Sequence, residues 1–488
     1  MVGGERQLVQ QDLCPLRCDF AVSFHSTATL ERIRDAALTV LERTGVRFAS
    51  AKARAVFVEH GAQVDEDSGI VHLRPGLVLD ALASAPREFV LASRDGAHDL
   101  DLALPQTYCG PDGCGTEVVD WRTGDRRGST KADLAAITRM QDYLGSIQFW
   151  WPMVGAGDCG VTAPLHELDA ALRNTVKHVQ AMVNGERQAR FAVEMGIAAA
   201  GGAAQLRRRP LMSNLVTVVS PLTHDRDGSE AALVFAEAGV PVCFATTPGL
   251  GTTAPATLAG AYVLGLAEAM SAAAFVQLAQ PGAPVLCSIT RLHSDPRTGA
   301  PLASPLDDRS LFLATELLHF VGIPAAGSYA GTDAVAPDTW QAAAENLATL
   351  MVAALDGCEI MNGIGLTNAY RLFTPEGLIL ADDLYHRARY AFLDVALDDE
   401  TLAVEVIDRV GPGGHFLAEP HTRRHLREAV RRSLAQVPVP GGDMRDPVEV
   451  ARERALDILE RYQPQPLEPA TATRLDGIIS AADAELAG

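Results

Sequence analysis

Leu211-Met212-Ser213-Asn214-Leu215-Val216-Thr217-Val218-Val219 is a mainly apolar, strand-like run, and what surrounds it decides the fold. A helix-like stretch from Ser229 to Ala238 follows, then a second apolar run from Val242 to Ala245. Another helix-like stretch, Thr257 to Ala279, leads to a third run, Val285 to Ile289. Working outward, the same alternation continues on both sides. Upstream lie the runs Gln148 to Val154 and Val179 to Val183, with helix-like stretches Leu165 to Thr175 and Gln188 to Ala200. Downstream lie Ile323 to Ala326 and Cys358 to Met361, with Arg309 to Phe320 and Thr339 to Leu355 between and before them. Strand, helix and strand recur every ~30–40 residues, the length of one βα unit. The strands are continuous apolar runs rather than alternating ones, as parallel strands buried on both faces require. Seven such strands are visible, and an eighth near Gln106 to Cys109 would close a ring. The expected fold is therefore α/β, a (β/α)8 barrel of the TIM type over residues 106–385, in preference to an open doubly wound sheet.

The flanks read differently. Residues 1–105 combine an amphipathic helix from Thr29 to Leu41 with short strands at Gly69 to Leu73 and Phe89 to Ala92, an α+β cap. Residues 386–488 are helical and charged, through Asp394 to Val410, Arg423 to Ala435, Arg452 to Tyr462 and Ala470 to Leu486. This is a helical extension.

Composition narrows the function. The 488 residues are 48% hydrophobic and 21% charged, which describes a globular chain. With 41 Lys+Arg against 61 Asp+Glu the net charge is −20, so the surface repels phosphate backbones and anionic lipid. No nucleic-acid or membrane partner is expected. The runs Arg207 to Arg209 and Arg423 to Arg432 are short enough to be solvated faces. Eight cysteines are too few for a disulfide scaffold, and no basic-then-apolar leader opens the chain. The apolar stretch Ala254 to Ala279 carries Glu268 and lacks basic flanks, so it reads as a buried helix. A cytoplasmic protein is expected, and the composition fits a monomer or a homo-oligomer.

In a barrel the chemistry sits where the strands end. Those ends read Gly155 to Asp158, Asn184-Gly185-Glu186, Ser220 to His224, Thr246 to Gly251, Thr290-Arg291-Leu292-His293, Gly327 to Asp333, and Asn362-Gly363, all polar or Gly-rich. The histidines among them are scattered, and Cys14-x3-Cys18 and Cys109-x4-Cys114 lack a second matching pair, so no bound metal is expected. Only three lysines occur, and Lys177 precedes its strand, at the wrong end for a Schiff base. No Gly-x-Ser-x-Gly elbow is present. The Gly-rich run from Thr246 to Pro255 opens a helix, with Thr253 available as N-cap; it reads equally well as a carboxylate or phosphate cradle and as an ordinary βα loop. Aromatic residues gather near strand ends: Tyr108, Phe149, Trp150, Trp151, Tyr329 and Trp340, with Asp112, Asp158, Glu186 and Asp333 nearby. Such parts could build a cage for a quaternary ammonium group, although any single ring is more often a packing residue. Alternation lets only one of Trp150 and Trp151 face inward.

Leu41-Glu42-Arg43-Thr44-Gly45-Val46, Ala85-Pro86-Arg87-Glu88-Phe89, Asp120 to Arg127, Asn174-Thr175-Val176-Lys177-His178, Thr253 to Gly260, and Gln280 to Val285 together carry a resemblance to the trimethylamine:corrinoid methyltransferase family. It extends from about residue 30 through the closing Leu475-Asp476-Gly477-Ile478-Ile479 helix. It implies an enzyme that moves a methyl group from an amine to the corrinoid (cobalamin) of a separate protein. In Thr332 to Trp340, ordinary residues Val335 and Ala336 stand where founding members carry pyrrolysine, so the chain resembles the non-pyrrolysine branch, whose substrates are glycine betaine and related quaternary amines. Val335 in place of Lys and Trp340 in place of Gln make the expected pocket more apolar. On this reading Tyr108, Trp151, Tyr329 and Trp340 wall the cage. Asp112, Glu186 or Asp333 biases its charge, and Thr252, Thr253 or Arg291 holds a substrate carboxylate. The alternative is a barrel that binds a small quaternary amine or an anion without this chemistry.

Overall fold

The repeating unit foreseen in the sequence is the repeating unit of the structure. A computed structural model describes residues 8–295, 297–299, 301–302, 312–328, 331–429 and 433–486. Its central strands are β1 (Gln106–Pro111), β2 (Phe149–Trp150), β3 (His178–Ala181), β4 (Met212–Val218), β5 (Val242–Thr246), β6 (Val285–Ile289), β7 (Ala326–Ser328) and β8 (Ile360–Ile364). Each leads into a helix: α1 (Lys131–Tyr143), α2 (Ala163–Asn174), α3 (Glu186–Ala200), α4 (Arg226–Ala238), α5 (Leu258–Ala279), α6 (Leu313–Phe320), α7 (Trp340–Asp356) and α8 (Pro375–Tyr390). The helix starts are written locally. Thr130 and Asp133 form a capping box on α1, and Asp225, Thr257, Thr339 and Thr374 cap α4, α5, α7 and α8, each such cap being worth ~1 kcal/mol.

Strands β2 to β6 form one parallel sheet in chain order, and β1, β8 and β7 pair in parallel in another. Hydrogen bonds cross both gaps between the sheets. Gln148 N donates to Cys109 O (2.7 Å) and Gly115 N to Met153 O (3.0 Å) on one side; Cys287 N donates to Pro324 O (3.1 Å) on the other. The weakly signalled eighth strand is thus present as β1. Its apolar run is broken by Gly110 and Pro111, which is why the sequence understates it.

Side chains on one face of these strands form their own apolar cluster. Tyr108, Phe149, Leu215, Cys243, Leu286, Ala326 and Ile360 come from seven strands and meet Leu91, Leu100 and Leu102 of a small hairpin, Val90–Leu91 with Leu100–Asp101. The hairpin covers the end where the strands begin. The opposite face of each strand packs on the helices. Helix α5 is long and apolar enough to cross a membrane, and 83% of its most apolar window is buried within this fold. Its mid-helix Glu268 accepts from Leu222 N and Ser220 Oγ, both at 2.9 Å.

Beyond α8 the chain continues through α9 (Asp399–Leu402), α10 (Val404–Val410), α11 (Pro420–Ala429), α12 (Pro447–Arg461) and α13 (Pro469–Leu486). The expected helix from Asp394 to Val410 is therefore two short helices, broken where Ala403 turns left-handed at φ 52°. Helix α12 packs on α8 and α1, and α13 packs on α2 and α3. At the start of β3, buried Lys177 donates from Nζ to the carbonyls of Gln141 (2.7 Å), Leu144 (2.7 Å) and Ile147 (2.6 Å). It thereby closes the C-terminal end of α1, and burial pulls its pKa down to about 8.

Candidate functional site

Where the strands end, a cavity of about 390 Å³ opens. The period of two along each strand decides what faces it. Leu215 and Thr217 of β4 reach it, as do Cys243 and Ala245 of β5 with Thr247 beyond, and Ser288 of β6 with Thr290 beyond. Asn362 comes from β8, and Met182 follows β3. The loops after β1, β2 and β8 add Asp112, Cys114, Trp151, Ala369, Tyr370 and Arg371.

Trp151 faces the cavity and Trp150 faces away, donating from its indole to Thr138 Oγ1 (2.9 Å) on α1. The inward ring has room because two glycines stand beneath the aromatic pair. A β-carbon at Gly113 would lie 2.4 Å from the Trp151 indole, and one at Gly110 would lie 2.4 Å from the Phe149 ring. Trp151 and Asn362 both line this space, and their Nε1 and Nδ2 atoms are buried with no hydrogen-bond partner among the described residues. Both are donors, so they suit an acceptor on a ligand.

Asp112 is only 2% exposed. Its Oδ2 accepts from Leu366 N (3.1 Å), and Gly331 N also bonds the carboxylate, yet burial outweighs both and lifts its pKa to about 7. Opposite it, Asn368, Ala369 and Tyr370 hold φ of 57°, 51° and 65°, a left-handed succession that side chains other than glycine disfavour. The turn is fixed by Asn368 N donating to Ala334 O (2.7 Å) and Ala369 N donating to Thr332 O (3.3 Å). Strain of this kind persists where surrounding structure over-determines it, and it concentrates at working sites. Tyr370 is a cavity-lining ring that the sequence did not single out, because its place depends on this turn.

The expected site residues divide. Trp151 and Asp112 line the cavity. Asp333 lies near enough for its charge to act on Tyr370, and its backbone N–H donates to Glu345 Oε2 (2.9 Å). Tyr108 does not reach the cavity. It shares a strand face with Asp112 but lies four residues earlier, ~13 Å along the strand, and its hydroxyl donates to Asp101 O (3.2 Å) in the basal hairpin. Trp340 begins α7 beyond its Thr339 cap and is 85% exposed, so it stands outside the cavity. Glu186 begins α3 and pairs on the surface with Lys52 and with Arg190 (2.8 Å). Tyr329 lies outside the described residues.

The Gly-rich loop is also different from the cradle it resembled. Thr253 Oγ1 accepts from Gly249 N (2.9 Å) and Thr252 Oγ1 donates to Gly249 O (3.1 Å), while the N–H groups of Leu250, Gly251, Thr252 and Ala254 go to carbonyls of Leu292, Ala254 and Gly249. Those donors are spent inside the loop. The N-cap of α5 is Thr257, not Thr253, because Thr253 is engaged with Gly249. Arg291 stacks over the Tyr262 ring with its guanidinium carbon 4.5 Å from the centroid.

Among the described residues no lysine or histidine lines the cavity, and burial pushes the Cys114 and Cys243 thiols up to about 12. These thiols stay protonated and are poor nucleophiles. Parallel βα units ending in a small ring-walled cavity are the architecture of a small-molecule enzyme. The chain belongs to the trimethylamine methyltransferase (MTTB) family, a family of methyl-transferring enzymes, whose family model matches residues 5–487. It is 32% identical over 487 residues to a trimethylamine methyltransferase MttB of Desulfitobacterium hafniense (strain DSM 10664 / DCB-2), covering 98% of each chain. It is 27% identical over 463 residues to a glycine betaine methyltransferase of Desulfitobacterium hafniense (strain Y51), covering 92% of this chain and 95% of that one. Among solved structures it is similar to the Methanosarcina barkeri monomethylamine methyltransferase MtmB, with a TM-score of 0.50 at 11% identity over 96% of this chain and 90% of that one. That last likeness is one of fold.

Proposed function

We propose that the chain transfers a methyl group from a betaine-type quaternary amine to the corrinoid of a separate protein. The observation that carries this reading is a cavity with aromatic walls, Trp151 and Tyr370, one buried carboxyl, Asp112, and, among the described residues, no side chain ready to accept a methyl group. On this reading the eight strands close into a (β/α)8 barrel over residues 106–385, supported by the bonds across both gaps between the sheets. Residues 1–105 then cap its base and residues 386–488 flank it.

A quaternary ammonium already bears its charge, so losing a methyl releases a neutral amine without a general acid. The rings attract the cation through their faces, worth about 0.5–2 kcal/mol each. Too tight a grip would oppose transfer, because the charge disappears in the transition state. A single carboxyl with a pKa raised to about 7 is a mild bias of the kind this chemistry tolerates. Asn362 Nδ2 and Trp151 Nε1 take the substrate carboxylate in this scheme, the task the sequence had given to Thr252, Thr253 and Arg291. Trimethylamine, protonated at neutral pH, has no acceptor to offer them, which favours a betaine over it. The fit to an external acceptor rests on the protonated thiols of the cavity, which do not compete for the methyl group. The corrinoid supplies the cobalt nucleophile when its carrier docks. This chain holds the cation, aims one methyl toward the mouth and excludes water.

The test mixes purified protein with cob(I)alamin and glycine betaine, proline betaine, carnitine, γ-butyrobetaine or trimethylamine. The visible spectrum follows loss of cob(I)alamin and growth of methylcob(III)alamin. Conversion with one betaine and none with trimethylamine is expected. Conversion with trimethylamine alone would overturn the substrate class, and calorimetric binding of a betaine without conversion by either free or protein-bound corrinoid would leave only a binding protein.

A further inference from the structure

Between α8 and α12 the chain departs from the rest of the fold. From Arg389 to Leu426 no residue is buried, and α9 and α10 contribute no side chain to any core. Ordering a segment of that length costs conformational entropy that apolar burial does not offset here. Apart from Phe392, whose ring stacks on Phe20 with centroids 5.1 Å apart, the contacts that hold it are polar. Arg409 pairs with Glu419 at 2.8 Å, and a second cluster gathers on Glu400 of α9. His421 and His425 stand one turn apart on α11, their ring centroids 4.5 Å from each other. His421 Nε2 lies 2.9 Å from the Glu400 carbonyl oxygen, and His425 Nε2 lies 3.3 Å from Glu400 Oε1. One donor atom from each of the three side chains lies within 4.8 Å of the other two.

We propose that Glu400, His421 and His425 bind a divalent transition-metal ion of the zinc or nickel class, clipping α9 to α11. Two imidazole nitrogens and a carboxylate oxygen are a donor set for borderline metals, and the Glu400 carbonyl offers a further oxygen. Magnesium and calcium prefer all-oxygen sets and are not the ligand. The spacing of four residues puts both imidazoles on one helix face. Arg424, which now pairs with Glu400, is the competitor, but an exposed pair of this kind is worth ~0–1 kcal/mol and yields to a dication. The metal would supply the tether that a core supplies elsewhere. The His421-x3-His425 spacing is visible in the sequence, and the fold adds Glu400 to it from 21 residues upstream. This inference does not rest on the methyltransferase reading.

The experiment uses the full chain, stripped with chelator and free of any affinity tag, titrated calorimetrically with ZnCl2 and separately with NiCl2. A His421→Gln/His425→Gln variant is run beside it; all three ligand groups are at the surface, so its thermal transition without metal should match the parent. One high-affinity site per chain is expected, weakened at least ~10-fold in the variant. Zinc should also slow proteolysis within residues 390–426 of the parent and leave the variant unprotected. Equal binding by parent and variant, no binding by the parent, or protection that is the same in both, overturns the proposal.

Discussion

Gly113 lies directly beneath the indole of Trp151, so that a β-carbon on the glycine would sit 2.4 Å from the ring. A side chain cannot enter that space unless the ring moves, and an indole held at the end of a strand has few ways to yield. Gly113→Ala is therefore expected to raise KM for a betaine about tenfold while costing ~1–3 kcal/mol of stability. Trp151→Ala should raise KM by a similar factor, whereas Trp340→Ala, at a residue 85% exposed, should leave KM within about twofold. Steady-state kinetics on the three variants checks this ordering; equal effects at Trp151 and Trp340 would remove Trp151 from the cage.

The left-handed turn at Asn368, Ala369 and Tyr370 makes a separate prediction. Ala369→Gly relieves a φ of 51° and should gain stability of order 1 kcal/mol, offset in part by the added freedom of the unfolded chain. Thermal denaturation reads that gain. Because the same turn aims Tyr370, the loosened loop should raise KM. Tyr370→Phe should keep most binding, since the ring and not the hydroxyl faces a cation, and Tyr370→Ala should lose it.

Asp112 predicts a pH dependence. Burial raises its pKa from 3.8 to about 7 in the folded chain, so the folded state holds the proton longer than the unfolded one. Its contribution to stability is therefore full below about pH 4 and is lost as pH rises through 7. Ligand binding runs the other way. The ionised carboxylate attracts a quaternary ammonium, so KM should fall as pH rises from 6 to 8, and binding at pH 6.5 should release protons to the buffer. Asp112→Asn should flatten both trends. A betaine KM in the parent that does not change between pH 6 and 8 would exclude Asp112 from the cation site.

The alternation of strands and helices was legible because burial on both faces leaves continuous apolar runs, as at Val285–Ile289, where the expected and observed bounds coincide. The site was legible only in part. Period two forces one of Trp150 and Trp151 inward, but nothing in a linear sequence says that Tyr108 enters at the base of its strand and Asp112 at the top. Trp340 follows a Thr cap and reads as a strand-end aromatic, yet the helix turns it to solvent. Tyr370 depends on where the chain goes after β8, and that path is set by hydrogen bonds to the Thr332 and Ala334 carbonyls from another loop. Tertiary contacts decided those positions, not local pattern.

The role of Lys177 follows from its position alone. Lys177 Nζ serves the carbonyls of Gln141 and Leu144 at the end of α1 and of Ile147 in the turn beyond it, Leu144 O also accepting from Ile147 N (3.2 Å). Lys177→Met keeps the apolar stem and removes the donors, leaving those acceptors buried at a cost of ~1–3 kcal/mol each before relaxation. Removing a desolvated charge recovers part of that, so a net loss of about 3 kcal/mol is expected by urea denaturation. The betaine KM should not change, since Lys177 stands at the opposite end of β3 from Met182 and the cavity. The folded pKa is lowered from 10.5 to about 8, so the unfolded chain binds the extra proton between those values, and the parent's advantage over Lys177→Met should grow as pH rises through that window. An unchanged unfolding midpoint in the variant would mean that the three carbonyls find water, and that the lysine is a passenger in the fold.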